Sequence, residues 1–119
     1  MSDVVVAVDV GGTVIKSAVV TEDAQVLARL RVPTSAALGT EVVYNNIVES
    51  IETLRDQLDE QSHVVAVGVV VTGIVDEKSG SAIHSENVGW NNIALRPMLA
   101  EQLGLPVGFG HDVRAGALA

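Results

Sequence analysis

Residues 3–20 read DVVVAVDVGGTVIKSAVV, two β-branched runs joined by Gly11, Gly12 and Thr13. The first run, residues 3–10, is apolar with hardly a break, as expected of a strand covered on both faces. The glycines turn the chain, and residues 14–20 resume as a second strand. Residues 26–32, VLARLRV, alternate apolar and polar side chains like a half-exposed third strand. The two short connections, GGT and TEDAQ, make these three an antiparallel meander.

After a break at residues 33–39, Val43, Ile47, Ile51, Leu54 and Leu58 recur at spacings of four, four, three and four. This predicts one face of a long amphipathic helix, with Thr40 as its N-cap. Residues 64–71, VVAVGVVV, form a fourth buried strand, since these eight residues fall well short of the ~20 that a membrane-spanning helix needs. A loop over residues 72–80 and a short hairpin through Ile83 lead to the polar stretch HSENVGWNN. Leu95, Leu99 and Leu103 mark a second helix closed by Gly104, residues 106–109 a fifth strand, and Asp112 the start of a third helical pattern. Strands four and five follow helical crossovers and are expected to run parallel to the first. The expectation is an α/β fold, a mixed five-stranded sheet with helices on both faces. Its element order resembles the ribonuclease-H-like, or actin-like ATPase, half-domain.

The chain's 119 residues carry a net charge of −8, are 48% hydrophobic and include no cysteine. Such apolar content goes with a packed core rather than a solvated coil. The absent cysteines exclude a disulfide framework or a thiolate metal site here and fit a reducing compartment. The seven basic residues, scattered along an acidic chain, make no stripe for a phosphate backbone, so no nucleic-acid partner is expected. No basic leader precedes residues 4–10. The reading is of a cytoplasmic protein with no membrane partner.

The chemistry begins at Asp9 and runs to Lys16, DVGGTVIK. A carboxylate closing a strand of Val and Ala is costly to bury unless a metal, water or hydrogen-bond donors meet it. Two glycines in a tight turn let backbone N–H groups cradle a phosphate, and Thr13 adds a hydroxyl. Spacing alone equally allows a plain hairpin turn in which Asp9 caps the bend. Lys16 has a plainer reading still, an exposed residue on a strand edge.

The string DVGGTVIK resembles the first phosphate motif of sugar kinases in the actin and heat-shock ATPase superfamily, and more narrowly that of the ROK family of repressors, open reading frames and kinases. Further stretches are similar to that family in order. GVVVTGIVDEKSG resembles its strand-and-turn motif, HSENVGWNNIALRPML its sugar-side loop and helix, and LPVGFGHDVRAGALA its catalytic aspartate segment. The resemblance implies a kinase using ATP and Mg²⁺, with Asp9 near the metal of the nucleotide and Gly11, Gly12, Thr13 and Lys16 on its phosphates. It implies Asp112 as the general base toward a sugar hydroxyl. An aspartate opening a helix stays ionised and can accept that proton, although an ordinary N-cap would look the same. On the sugar side it implies Gly73, Glu86, Asn87 and His111, together with Asp112. Carboxylates and amides suit paired hydroxyls, and a solvated loop is the plainer reading of Glu86 and Asn87. Trp90 reads as a packing anchor or a cover for the sugar face, and His84 as structural or ligand-facing.

Three departures from the family pattern stand out. His111 occupies the usual Asn position, Thr72-Gly73 the usual Pro-Gly, and Val113-Arg114 the usual Ala-Asn. The resemblance also implies a second lobe, absent here, that carries the adenosine site and a structural zinc. Residues 1–119 are therefore expected to be the N-terminal lobe of a two-lobe protein, homodimeric when complete. The mean hydropathy of +0.38 suits a face that another lobe covers. The implied activity is phosphorylation of a hexose or an N-acetylated hexosamine such as N-acetylmannosamine. The alternative within the family is a non-enzymatic, sugar-responsive transcriptional regulator. The phosphate strand is read as beginning at Asp3, so no helix-turn-helix is expected ahead of it and the kinase is the favoured expectation.

Overall fold

The structure, a computed structural model, describes residues 2–71, 74–76, 81–84 and 91–110. Strands β1 (Ser2–Val10), β2 (Val14–Thr21) and β3 (Val26–Pro33) form the expected meander. A 3-10 turn (Ala36–Leu38) leads into α1 (Thr40–Gln57), and β4 (Ser62–Val71) returns alongside β1. Three short strands follow, β5 (Ile74–Asp76), β6 (Ser81–His84) and β7 (Asn91–Ile93), then α2 (Leu95–Leu103) and β8 (Val107–Gly110). The main sheet has the order β3-β2-β1-β4-β8, antiparallel from β1 to β3 and parallel from β1 through β4 to β8. This is the mixed five-stranded sheet that the sequence predicts. Among the described residues no helix is long and apolar enough to cross a membrane.

Alternation along β1 sets the core. Val4, Val6, Val8 and Val10 are all 1% exposed or less, and register aligns them with Ile15 and Val19 on one side and with Val67, Val69 and Val71 on the other. Onto this face α1 lays Val43, Ile47, Ile51 and Leu54, and α2 lays Leu95, Leu99 and Leu103, all in one buried cluster. Each such aliphatic side chain contributes ~1.5–3 kcal/mol on burial. The Tyr44 hydroxyl of α1 donates to Gln102 Oε1 of α2 at 2.7 Å, so both described helices share one side of the sheet. Burial, with Glu101 as a smaller cause, holds the Tyr44 phenol above its ordinary pKa and keeps it a donor. The opposite face carries the half-buried Val5, Ala7, Ala18, Val20, Ala66 and Val70. The third helical pattern, opened by Asp112, lies outside the described residues.

Two local expectations are corrected. Thr40 is the first residue of α1 and not its cap; the N-cap is Gly39, at φ 107°, whose carbonyl accepts the Val43 amide at 3.1 Å. That left-handed φ suits glycine and would strain a threonine. The segment after β4 is also more than a hairpin. The polar stretch contributes β7, which pairs with β6 through Ala82–Ile93 and His84–Asn91 to make a second, three-stranded sheet. Backbone pairing alone defines that strand, and its Asn-rich sequence carries no apolar alternation to betray it.

Within the core, Ser17 is buried and its hydroxyl has no hydrogen-bond partner among the described residues. Ile47→Ala should lower unfolding stability by about 2–5 kcal/mol through the cavity it leaves. Ser17→Ala should cost nothing or stabilise by about 1 kcal/mol, because it removes an unsatisfied polar group. Urea unfolding midpoints check both, and a large loss at Ser17 would mean that its hydroxyl has a partner.

Candidate functional site

The β1–β2 turn is shaped by three backbone constraints. The Gly11 amide donates to Val14 O at 3.0 Å, closing the hairpin. A Cβ on Gly11 would lie 2.9 Å from that same carbonyl oxygen, so only glycine fits without a shift. The third constraint comes from Thr34, just past β3. Its Oγ1 donates to Gly11 O at 2.7 Å and its amide donates to Thr13 O at 3.0 Å. The amides of Gly12 and Thr13 donate no hydrogen bond among the described residues, while Gly12 is half-buried and Thr13 exposed. A turn of this kind, with carbonyls held inward and amides left over, can accept an anion.

Asp9 and Lys16 flank the turn as directly paired residues of β1 and β2. Opposed residues on antiparallel strands have Cβ atoms about 4.5–5.5 Å apart. Both side chains are exposed, on the face away from α1 and α2. Asp9 therefore incurs little of the burial cost that its strand suggests, and its carboxylate is open to a cation. Lys16 is not on a strand edge, because β2 lies between β1 and β3. Register brings Arg31 opposite Lys16 and Arg29 opposite Ala18, all three basic side chains exposed. Three of the seven basic residues, separate in sequence, are thus gathered beside the turn.

Asp9, Gly11, Gly12, Thr13 and Lys16 lie at and beside the β1–β2 turn. Gly73, Glu86, Asn87, His111 and Asp112, with Trp90, lie outside the described residues. His84 falls within β6. What the described strands do fix is direction. Val10 pairs with Val71, and Val70 with Gly110, so β1, β4 and β8 finish at one edge of the sheet. Among the described residues no group of three or more His, Cys, Asp or Glu could hold a metal ion. Sequence reasoning missed Thr34. The available signal was a hydroxyl residue directly after a strand whose last residue, Pro33, pairs with Val14 at the turn.

The family model described as the ROK family matches residues 5–119. A glucokinase of Halalkalibacterium halodurans is 30% identical over 114 residues, covering 95% of this chain and 34% of that protein. The crystal structure of a ROK family glucokinase from Streptomyces griseus, in complex with glucose and AMPPNP, is similar at a TM-score of 0.83 and 29% identity. That match covers 96% of this chain and 35% of the other. A xylose repressor of Caldicellulosiruptor bescii is 33% identical over 55 residues, 46% of this chain and 14% of the repressor. The chain thus spans about a third of the length of the glucokinases it matches.

The close approach at Gly11 gives a direct test. Gly11→Ala should destabilise the protein by about 1–3 kcal/mol, since the new methyl must displace a backbone carbonyl. Gly68→Ala in β4, where an added Cβ meets nothing within 4 Å among the described residues, should leave the urea midpoint nearly unchanged. Equal midpoints for the two variants would refute the crowding at the turn.

Proposed function

The chain belongs to the ROK family, and from that premise we propose that residues 1–119 are the N-terminal lobe of an ATP-dependent sugar kinase. The observation that carries this reading is the shared sheet edge. β1 ends beside Asp9 and the glycine turn, and β8 ends at Gly110, immediately before His111 and Asp112. With β4 between them, the two strands are roughly 10 Å apart. Open α/β sheets bind ligands outside the carboxyl ends of their strands.

In this reading the amides of Gly12 and Thr13, unbonded among the described residues, and the Thr13 hydroxyl hold phosphate oxygens, and Lys16 adds positive charge. Asp9 holds Mg²⁺ together with the phosphates that bring it. One exposed carboxylate, with no metal cage around it among the described residues, fits that ion, which usually keeps waters and binds through one or two carboxylates plus phosphates. Bound magnesium neutralises charge on the transferring phosphoryl group. Asp112 orients the attacking sugar hydroxyl and takes its proton, while Gly73, Glu86, Asn87 and His111 contact the remaining hydroxyls. The substrate is a hexose or an N-acetylated hexosamine, and the complete protein is a cytoplasmic homodimer. Any structural zinc is held outside these residues, which contain no cysteine. The xylose repressor match favours a second reading, a sugar-responsive regulator that binds sugar without phosphoryl transfer.

A coupled assay of the complete protein with ATP, magnesium and a panel of sugars should show turnover, and residues 1–119 alone should show none. Sugar binding with no transfer to any member of the panel would favour the regulator. Asp112→Asn keeps the shape of the side chain but removes its charge, and should lower kcat by about 10²–10⁴ with little loss of sugar affinity. Asp9→Asn should instead raise the KM for magnesium nucleotide. Near-normal kcat in a folded Asp112→Asn protein would return that residue to the role of helix cap.

A further inference from the structure

We propose that Thr34 is the positioning residue of the phosphate-binding turn, with Asn46 of α1 fixing Thr34 in turn; what the turn binds rests on the kinase reading above. Thr34 is fully buried, at 0% exposure. Its hydroxyl holds the Gly11 carbonyl at 2.7 Å and its amide holds the Thr13 carbonyl at 3.0 Å. Its own carbonyl accepts from Asn46 Nδ2 at 3.2 Å, and the same amide group reaches Pro33 O at 3.3 Å. One residue therefore ties both ends of the turn to the helix that covers the core.

The consequence follows from peptide geometry. In a planar trans peptide, the N–H of one residue points opposite to the C=O of the residue before it. Drawing the Gly11 carbonyl down onto Thr34 therefore aims the Gly12 amide away from Thr34. That amide donates to nothing among the described residues. Thr34 need not touch the ligand to set the direction of a donor that does. The backbone beyond it is correspondingly constrained: Ser35 sits at φ 60°, a left-handed conformation that costs a non-glycine residue roughly 1–2 kcal/mol. A free connection would relax that φ, whereas a connection pinned on both sides of Thr34 retains it.

The test uses the complete protein, with Thr34→Val, which keeps the branched shape and loses the donor, and Thr34→Ser, which keeps the donor. Hydrogen exchange read by mass spectrometry should speed up in a peptide covering residues 9–15 for Thr34→Val, with the α1 peptides unchanged. Thr34→Ser should restore protection. The KM for ATP should rise about ten- to a hundredfold in Thr34→Val, since misplacement by an ångström carries penalties of this size, while the KM for sugar stays put. Asn46→Ala should move both readouts the same way by less. Unchanged exchange over residues 9–15 in Thr34→Val overturns the proposal. So does a parallel rise in both KM values, which is what a merely structural role would give. Faster exchange there in a protein that transfers no phosphate would leave the clamp standing and remove the kinase reading.

Discussion

Side chains along β1 point alternately to the two faces of the sheet, and the core claims one face completely. Val4, Val6, Val8 and Val10 are sealed under α1, and the same period of two puts Asp9 on the other face, in the open. A slip of one residue would exchange the sets, exposing four valines and driving a carboxylate into an apolar interior. The cost of that exchange, several kcal/mol in lost valine burial alone, pins the register. The position of Asp9 and the start of the turn at Gly11 are therefore fixed by hydrophobic packing remote from any ligand. Parallel pairing carries the same precision across to β4 and β8, so that three strands finish together.

What was legible in the sequence is what periodicity encodes. The valine runs, the helical spacing from Val43 to Leu54 and the leucines closed by Gly104 all return as β1, β4, α1 and α2. What was not legible depends on register or on contacts distant along the chain. Lys16, Arg29 and Arg31 look scattered until β2 and β3 are paired, and then stand side by side. Thr40 has the composition of an N-cap, yet Gly39 takes the position because only its φ brings the chain into the helix at that angle. β7 is invisible to any pattern of apolar residues, being specified by the partner strand and not by its own side chains. The glycine turn was legible as composition, but the glycine at position 11 proved to be required by the Val14 carbonyl, a contact within the chain itself.

Electrostatic character is divided between the two faces. The helix-covered side is almost wholly aliphatic, with Ser17, Thr34 and Ser50 the buried polar residues among those described; Thr34 and Ser50 are bonded to backbone carbonyls. The open side brings Asp9, Lys16, Arg29 and Arg31 together on three neighbouring strands. In a chain of net charge −8 this local excess of positive charge is what an incoming polyanion would meet beside the turn.

The parallel pairing of β1 with β4 has a consequence for biosynthesis. β2 covers one side of β1 almost as soon as it is made, but the other side waits for residues 62–71, about sixty residues later. At translation rates of about 5–20 residues per second, a nascent chain spends roughly 3–12 s with a valine-rich strand edge unpaired. Such an edge is a template for another chain. Slow codons within α1 would prolong the interval, and a holdase on the ribosome that favours extended valine segments would be expected to engage this protein early and to release it once β4 emerges.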